Sequence, residues 1–371
     1  MTVTIFDIEE KRREAPVGLA DINDFGLRQS GQIATETILE NPNITLYTLD
    51  LDNRQAVFVE TPPDVNLSHA PFYYAAQYEH AARVLTIPFE TMLRLAQSVP
   101  VDDKRLVFIH SVARAGSTLA SQIFAQVDGV VNISEPDALT LLVRARYYQP
   151  DNEDGLKVLL EAAVRLLCKT PAPTGWVIKG RSFVIQLGDW LHHCFPHTKN
   201  LFLYRDAETW LISCIRAFGL SVDQTDEERL AAEKRIREFI TPVSPLVAQY
   251  NEDRHLPYAG ILSLMWLSVM ERYLKLHEMG IEMLAIRYAG WRETPRETAA
   301  AMLDYCGFHP ADMTAIYDTL SRDSQAGTIL SQEAVLQHKS RIQASDRQEL
   351  NRHLQNHPAI QIADFEVPNT L

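Results

Sequence analysis

Hydrophobic and polar positions along the first 100 residues follow two short-range patterns. Segments 44–50 and 55–60 alternate apolar and polar residues on either side of a polar turn, which is typical of a β-hairpin. Residues 70–99 show helical spacing with one break, and residues 1–31 are mixed and charged, which indicates an exposed arm or helix. The pattern predicts an N-terminal accessory region of hairpin and helices over residues 1–100.

From residue 101 onward, short apolar runs alternate with amphipathic helical patterns, as is typical of an α/β domain. Residues 221–280 form a mostly helical insertion in this pattern. We therefore expect an α/β domain over 101–371, in which a three-layer parallel sheet is flanked by helices and carries a helical lid. The strands are predicted at 106–109, 130–133, 176–179, 199–204 and 282–288.

The loop after the first of these strands carries the clearest candidate chemistry. A loop that turns a strand into a helix points backbone N–H groups and the positive end of the helix dipole at one spot, which suits an anion. Here Gly116 permits close approach of the backbone, Ser117 and Thr118 add hydroxyl donors, and Arg114 adds a positive charge. The sequence predicts a phosphate-binding loop of a P-loop-like domain.

This loop departs from the common nucleotide-triphosphatase pattern, G-x-x-x-x-G-K-[ST], at two positions. Ser111 stands where that pattern has its first glycine, and Ser117 stands where it has the lysine that reaches the outer phosphates of ATP. The departures favour a phosphate cradle without the chemistry of an ATPase.

The run RAGSTL at 114–119 resembles the 5′-phosphosulfate loop of sulfotransferases that use 3′-phosphoadenosine 5′-phosphosulfate. A second similarity lies at strand 201–204, which ends in Arg205 and is followed eight positions later by Ser213. The resemblance implies that Arg205 and Ser213 bind the 3′-phosphate of the donor. It also implies that the phosphosulfate is held by Arg114, Ala115, Gly116, Ser117 and Thr118.

Residues just past the parallel strands converge at one edge of an open α/β sheet, which nominates Glu135, Lys179 and Arg181. Glu135 is the candidate general base that takes the proton of an acceptor hydroxyl; alternatively, it caps the helix that follows. The resemblance implies that Lys179, together with Arg114, neutralises charge on the leaving phosphate.

Arg181 stands where the cytosolic branch of the family has a histidine base, and an arginine does not deprotonate. We expect it to bind phosphosulfate or an anionic acceptor; the alternative is a surface Lys-Gly-Arg turn. His110, at the mouth of the loop, either contacts substrate or merely ends its strand. Gly327 lies in a polar loop over 321–331, which is similar to the family loop that closes over the 3′-phosphate, or is an ordinary interhelical loop.

The aromatic cluster Phe72, Tyr73, Tyr74, Tyr78 and His80 has two interpretations. It packs a helix on the predicted hairpin, which we favour, or it forms a wall of the acceptor site.

Composition narrows the class of partner. The net charge of −13 argues against nucleic acid or a heavily sulfated polysaccharide as a ligand, because such ligands require a basic surface. There is no run of about 18 apolar residues and no basic-then-apolar N-terminus, so we expect a cytoplasmic protein with no membrane contact. The four scattered cysteines predict reduced core residues, and no histidine pair has a third ligand, so we expect no metal.

Together these features predict a sulfotransferase that moves a sulfuryl group from 3′-phosphoadenosine 5′-phosphosulfate to a hydroxyl or amine of a small-molecule acceptor. The alternatives are an ATP-dependent small-molecule phosphotransferase and a non-catalytic nucleotide-binding protein of the same fold. The sequence does not indicate which acceptor is used or the oligomeric state.

Overall fold

The first 100 residues build an antiparallel sheet in a computed structural model that describes residues 2–13, 18–219, 225–250, 254–337 and 341–371. The sheet has the strand order β2-β1-β5-β4-β3. The predicted hairpin is confirmed as β3 and β4, in which Ile44 is paired with Glu60 and Asp50 with Gln55. The strands are β1 (Thr2–Lys11), β2 (Phe25–Ala34), β3 (Ile44–Asp50), β4 (Gln55–Glu60) and β5 (Arg83–Pro88).

The prediction of an arm or helix over 1–31 is wrong, because this stretch contains β1 and most of β2, which pair antiparallel. In β1, Val3 and Ile5 are buried while their neighbours Thr2 and Thr4 are more exposed, which is the period-two pattern of a strand. That period is interrupted by the charged residues that follow, so charge obscures it in the sequence.

The helical interpretation of residues 70–99 is also wrong in its middle. Strand β5 lies there between helices α2 (Tyr73–His80) and α3 (Phe89–Gln97). Four consecutive residues of β5, Val84 to Ile87, are buried, so the strand is covered on both faces. A short run of this kind has no alternation that would separate a strand from a helix.

The predicted α/β fold with a parallel sheet is confirmed by the second sheet. Its strand order is β10-β9-β6-β8-β7, and its pairs β7/β8 and β9/β10 are parallel. The five strands occur close to where the sequence predicts them, because each is a short, mostly apolar run between turn signals. They are β6 (Leu106–Ser111), β7 (Val130–Ser134), β8 (Gly175–Lys179), β9 (Lys199–Tyr204) and β10 (Leu284–Arg287).

The predicted helical insertion over 221–280 contains three helices in its described part, while residues 221–224 and 251–253 lie outside the described residues. Its role as a lid stays a prediction. The three α-helices of the insertion are α9 (Asp226–Ile240), α10 (Pro245–Ala248) and α11 (Tyr258–Glu278).

The other α-helices are α1 (Thr37–Glu40), α4 (Ser117–Phe124), α5 (Asp137–Tyr148), α6 (Glu153–Leu167), α7 (Gly188–Cys194), α8 (Ala207–Phe218), α12 (Tyr288–Glu293), α13 (Pro295–Tyr305), α14 (Thr314–Leu320), α15 (Gln332–Gln337) and α16 (Ala344–Gln355).

The chain divides into two compact units. The first comprises residues 1–108 and 124–199, so the predicted accessory region shares a unit with β7 and β8. A core cluster of this unit contains Ala20, Phe25, Tyr47, Val57, Val59, Ala81 and Val84. The second unit comprises residues 109–123 and 200–371, and its longest described helix, α11, is buried along most of its length.

Residues near the end of the sequence pair with strand β10 in the second unit. The Ala285 N–H donates to the Asn369 carbonyl at 3.0 Å, and the Leu371 N–H donates to the Ala285 carbonyl at 2.9 Å. These bonds use backbone groups that an edge strand would otherwise present to other chains.

No described helix combines the length and apolar character that crossing a membrane requires. All four cysteines are free, and Cys168, Cys214 and Cys306 are buried.

Candidate functional site

The loop of residues 112–116, between β6 and α4, has an unusual backbone. Ala113, Arg114 and Gly116 adopt φ values of 61°, 46° and 87°, which lie in the left-handed region. For a residue with a side chain this conformation costs roughly 1–2 kcal/mol, so two such residues in succession need support from the surroundings. Successive amides in turn conformations of this kind form a concavity that binds anions. Phosphate binding by this loop stays a prediction.

A buried tryptophan of α8 supports this loop. The indole N–H of Trp210 donates to the carbonyl oxygens of Val112 and Ala113, at 2.6 and 3.1 Å. The Val112 N–H in turn donates to the Leu203 carbonyl of β9 at 3.1 Å. These bonds occupy two carbonyl oxygens of the loop, which would otherwise repel an anion bound there.

Gly116 is the position of this loop where a side chain has no room. A Cβ atom there would lie 2.8 Å from Cδ1 and 3.0 Å from Nε1 of Trp291. Its positive φ adds a conformational reason for glycine. Gly116 is therefore closely packed against an indole ring, and its predicted approach to a phosphate stays a prediction.

Two arginines of the second unit lie here: Arg114, within loop 112–116, and Arg205, which directly follows β9. The Arg114 Nε donates to the Ser213 hydroxyl at 3.3 Å, and its Nη1 donates to the Gln325 side-chain oxygen at 2.6 Å. The Arg205 Nε donates to the Thr209 hydroxyl at 2.8 Å, and its guanidinium lies 4.4 Å from the centre of the Tyr288 ring. We call Arg114, Arg205 and Ser213 the arginine cluster.

Neither guanidinium of the arginine cluster forms an ion pair with a described carboxylate. Among the described residues, neither guanidinium has a carboxylate oxygen within 4.0 Å, and both are partly buried. Burial lowers the pKa of Arg114 and of Arg205, and the charge of Arg114 contributes further to the lowering at Arg205. The charges of Asp323 and Asp206 oppose the lowering at Arg114 and Arg205, respectively, without reversing it. Since partly desolvated cations without a direct ion pair favour an anionic ligand, the cluster is suited to phosphate groups.

The late polar loop contacts loop 112–116 through a residue that the sequence did not nominate. Besides accepting from Arg114, Gln325 places its Nε2 donor 3.5 Å from the Thr118 hydroxyl. Gly327 lies two residues beyond it, with a φ of 77°. The predicted role of Gly327 at the 3′-phosphate stays a prediction, but its loop lies against two of the predicted donor-binding residues.

His110 lies within β6 and is 2% exposed, whereas the sequence places it at the mouth of the loop. Burial lowers the pKa of its imidazole to about 4; a hydrogen bond with Asn200 opposes this shift and the charge of Arg272 adds to it. The ring is therefore neutral at physiological pH. Its predicted contact with substrate stays a prediction.

The buried His110 predicts a loss of stability in mild acid. Its folded pKa of about 4 lies below the unfolded value near 6.5, so the unfolded chain takes the proton first as the pH falls. The stabilising contribution is present above about pH 6.5 and is lost towards about pH 4, which amounts to about 2 kcal/mol between about pH 7.5 and 5. Denaturant unfolding of wild type and His110→Gln at both pH values measures it. The variant should lose about 2 kcal/mol less than wild type, and equal losses would contradict the assignment.

A second group of charged residues lies in the first unit. Lys179, at the end of β8, is 2% exposed, and its Nζ donates to the Glu135 carboxylate. The Glu135 N–H donates to the Lys179 carbonyl at 2.6 Å, and Glu135 has a φ of 62°. The alternative that Glu135 caps the next helix is wrong, because α5 begins at Asp137 and its N-cap, Pro136, makes no side-chain cap bond. The structure instead pairs the candidate base with the candidate lysine.

Arg181 belongs to the same group and is not part of a surface turn, since its side chain is only 10% exposed. Its Nε lies 2.7 Å from Asp137 Oδ1, and its Nη2 donates to Asp137 Oδ2 at 2.9 Å. Burial would lower the pKa of Arg181, but the Asp137 carboxylate, together with Tyr74 and Glu135, more than offsets this and raises it. Asp137 therefore supplies hydrogen-bond acceptors and a counter-charge to this guanidinium. The predicted binding of phosphosulfate or an anionic acceptor by Arg181 stays a prediction.

Asp137 contacts several polar groups at once, and the sequence does not nominate it. It is fully buried, accepts the Ala20 N–H at 2.8 Å, and lies 3.7 Å from Arg13 Nη2. Arg13 also stacks over the Tyr74 ring, with a guanidinium to ring-centre distance of 4.7 Å. The only sequence signal for Asp137 is its place beside Pro136 near a strand end, where Glu135 is the more obvious candidate. We call Arg13, Asp137 and Arg181 the Asp137 cluster.

The aromatic residues of the N-terminal region divide between two roles. The Gln77 amide of α2 donates to the Thr45 hydroxyl and to the Leu46 carbonyl of β3, so the favoured packing on the hairpin is present. The rings of Phe72 and Tyr74 instead lie under cations, 5.7 Å from Lys179 Nζ and 4.1 Å from the Arg181 guanidinium.

Among the described residues, no three histidine, cysteine, aspartate or glutamate side chains are grouped so that they could hold a metal ion.

Comparison with known proteins gives a likeness in structure only. No family model matches the chain, and no curated protein sequence matches it. The chain is similar in structure to sulfotransferases. Sulfotransferase STF1 from Mycobacterium tuberculosis H37Rv is 12% identical, with a TM-score of 0.38 over 62% of this chain and 73% of the other. STF9 from Mycobacterium avium is 10% identical, with a TM-score of 0.39 over 73% and 80%.

A sulfotransferase from Alicyclobacillus acidocaldarius is 14% identical, with a TM-score of 0.35 over 65% of this chain and 98% of the other. Likeness at this level does not assign an activity or a ligand, so these must come from the residues of this chain.

Proposed function

We propose that this protein is a sulfotransferase that transfers a sulfuryl group from 3′-phosphoadenosine 5′-phosphosulfate to a hydroxyl or amine of a small-molecule acceptor. The observation that carries the proposal is the arginine cluster. Arg114, which belongs to loop 112–116, and Arg205 are partly buried and lie in the same compact unit, and neither forms an ion pair with a described carboxylate. A donor with phosphate groups at both the 3′ and 5′ positions would supply negative charge to the two arginines at two points.

The residues present fit such a donor better than they fit ATP. In the proposal, the amides of loop 112–116, Arg114 and the hydroxyls of Ser117 and Thr118 hold the phosphosulfate. Arg205 and Ser213 hold the 3′-phosphate, which ATP lacks. Ser117 replaces the lysine that a nucleotide triphosphatase uses for the outer phosphates, and this disfavours a phosphotransferase.

The proposed reaction exchanges one bond at sulfur for another. The acceptor oxygen or nitrogen forms a bond to sulfur while the bond from sulfur to the 5′-phosphate oxygen breaks, and adenosine 3′,5′-bisphosphate leaves. Glu135 takes the proton of the acceptor, and its bond from Lys179 fixes the orientation of the carboxylate. Lys179 and Arg114 neutralise the charge that develops on the leaving phosphate.

The same proposal covers partners and location. A net charge of −13 suits a small-molecule acceptor rather than a nucleic acid, and we propose a cytoplasmic protein that does not contact a membrane.

Thermal unfolding tests the nucleotide class. Adenosine 3′,5′-bisphosphate at 100 times its dissociation constant should stabilise the protein by about 2.7 kcal/mol, which gives a clear rise in the unfolding midpoint. ATP with magnesium at the same concentration should give a smaller rise, because it lacks the 3′-phosphate. A rise with magnesium ATP and none with the bisphosphate would favour a phosphotransferase and overturn the proposal.

A further inference from the structure

Trp291 is an exception among the tryptophans of this protein. The chain has five, and four of them donate their indole N–H to an oxygen of the protein. The acceptors are the Thr170 carbonyl for Trp176, the Glu153 carboxylate for Trp190, the Val112 and Ala113 carbonyls for Trp210, and the Arg205 carbonyl for Trp266. Trp291 is 6% exposed, yet its Nε1 is buried without a hydrogen-bond partner among the described residues.

This unpartnered donor lies beside loop 112–116. The nearest atoms to a Cβ built on Gly116 are Cδ1 and Nε1 of Trp291, at 2.8 and 3.0 Å. The edge of the indole that carries the N–H therefore faces the loop at Gly116, which has no Cβ atom. Both residues belong to the same compact unit.

A buried N–H without an acceptor costs stability, so native proteins keep such groups mainly where a ligand or water completes them. An indole N–H donates and cannot accept, so the missing group is an acceptor. In loop 112–116 the available acceptor is the anion that the left-handed backbone and Arg114 favour.

We propose that the Trp291 indole N–H donates a hydrogen bond to an oxygen of the 5′-phosphosulfate, or of the 5′-phosphate of the product, bound at loop 112–116. The inference rests on the proposed donor site and adds a residue to it that lies outside the sequence pattern of the loop. Trp291 then binds the 5′ group of the ligand, while Arg205 binds its 3′-phosphate.

The test compares two tryptophan variants with two ligands. Trp291→Phe keeps an aromatic ring and removes the N–H, and Trp176→Phe is the matched control, because Trp176 is similarly buried at 5% exposure but lies in the other unit. Calorimetric titration measures the dissociation constants of adenosine 3′,5′-bisphosphate and of adenosine 3′-monophosphate, which lacks the 5′ group. Denaturant unfolding without ligand shows whether the two variants lose similar stability.

We expect Trp291→Phe to weaken the bisphosphate at least tenfold, or about 1.4 kcal/mol, while its affinity for the 3′-monophosphate stays within about twofold. Trp176→Phe should leave both affinities unchanged. An equal loss for both ligands would mean that Trp291 acts only through packing and would overturn the inference, as would unchanged bisphosphate binding in Trp291→Phe. If wild type binds neither ligand, the proposed donor site itself fails, and that result is distinct from a failure at Trp291 alone.

Discussion

Replacement of Asp137 by alanine is expected to lower the free energy of unfolding by about 3–5 kcal/mol. The carboxylate is fully buried and faces Arg181 at 2.7 Å and Arg13 at 3.7 Å. Its removal leaves two buried guanidinium groups short of a counter-charge, and it also removes the acceptor of the Ala20 N–H. Denaturant unfolding of the variant at neutral pH measures the loss.

The control for this prediction is Asp151→Ala, since Asp151 is an exposed aspartate of the same unit. Its effect should stay within about 0.5 kcal/mol, as for most surface substitutions. A loss of less than about 1 kcal/mol in Asp137→Ala would show that the contacts of Asp137 with Arg181, Arg13 and the Ala20 N–H contribute little to stability.

Replacement of Arg114 by alanine is expected to weaken adenosine 3′,5′-bisphosphate binding about 100-fold, or about 2.7 kcal/mol. A guanidinium makes more than one charge-assisted bond to a phosphate, and each bond of this kind contributes about 1.5–3 kcal/mol. Without ligand the variant should unfold near the wild-type midpoint, because its main contacts are to the neutral side chains of Ser213 and Gln325. Calorimetric titration and thermal unfolding measure the two quantities.

Arg216→Ala is the matched control, because Arg216 is an exposed arginine on the same helix as Ser213. It removes the same charge from the protein, and its effect on affinity should be less than about threefold if only net charge changes. Similar losses in Arg114→Ala and Arg216→Ala would mean that Arg114 acts at long range and does not contact the ligand.

The sequence predicted the parallel sheet and missed much of the antiparallel one, for a physical reason. Buried parallel strands such as Leu201–Tyr204 are continuous apolar runs, and a single sequence shows them clearly. Strand β1 alternates only over its first half before charged residues obscure its period, and β5 is too short and too uniformly buried to show one. Pairing between β1 and β5 is a long-range contact that local patterns do not report.

The candidate residues were found where a local pattern carries chemistry. RAGSTL and the pair Arg205 and Ser213 are such patterns, and the structure shows Arg114 bonded to Ser213. Gln325 and Trp291 reach loop 112–116 from more than 170 residues away in sequence, so only the folded chain brings them there. Asp137 was overlooked because a buried carboxylate between two arginines looks like any acidic residue at a helix start.

The most direct test of the donor site is the ratio of two dissociation constants measured by calorimetry on the wild-type protein. Adenosine 3′,5′-bisphosphate and adenosine 5′-monophosphate differ only in the 3′-phosphate, which the proposal assigns to Arg205 and Ser213. We predict that the bisphosphate binds at least tenfold more tightly and that Arg205→Ala brings the ratio close to one. Equal affinity of the wild type for both nucleotides would contradict the assignment of a 3′-phosphoadenosine 5′-phosphosulfate donor.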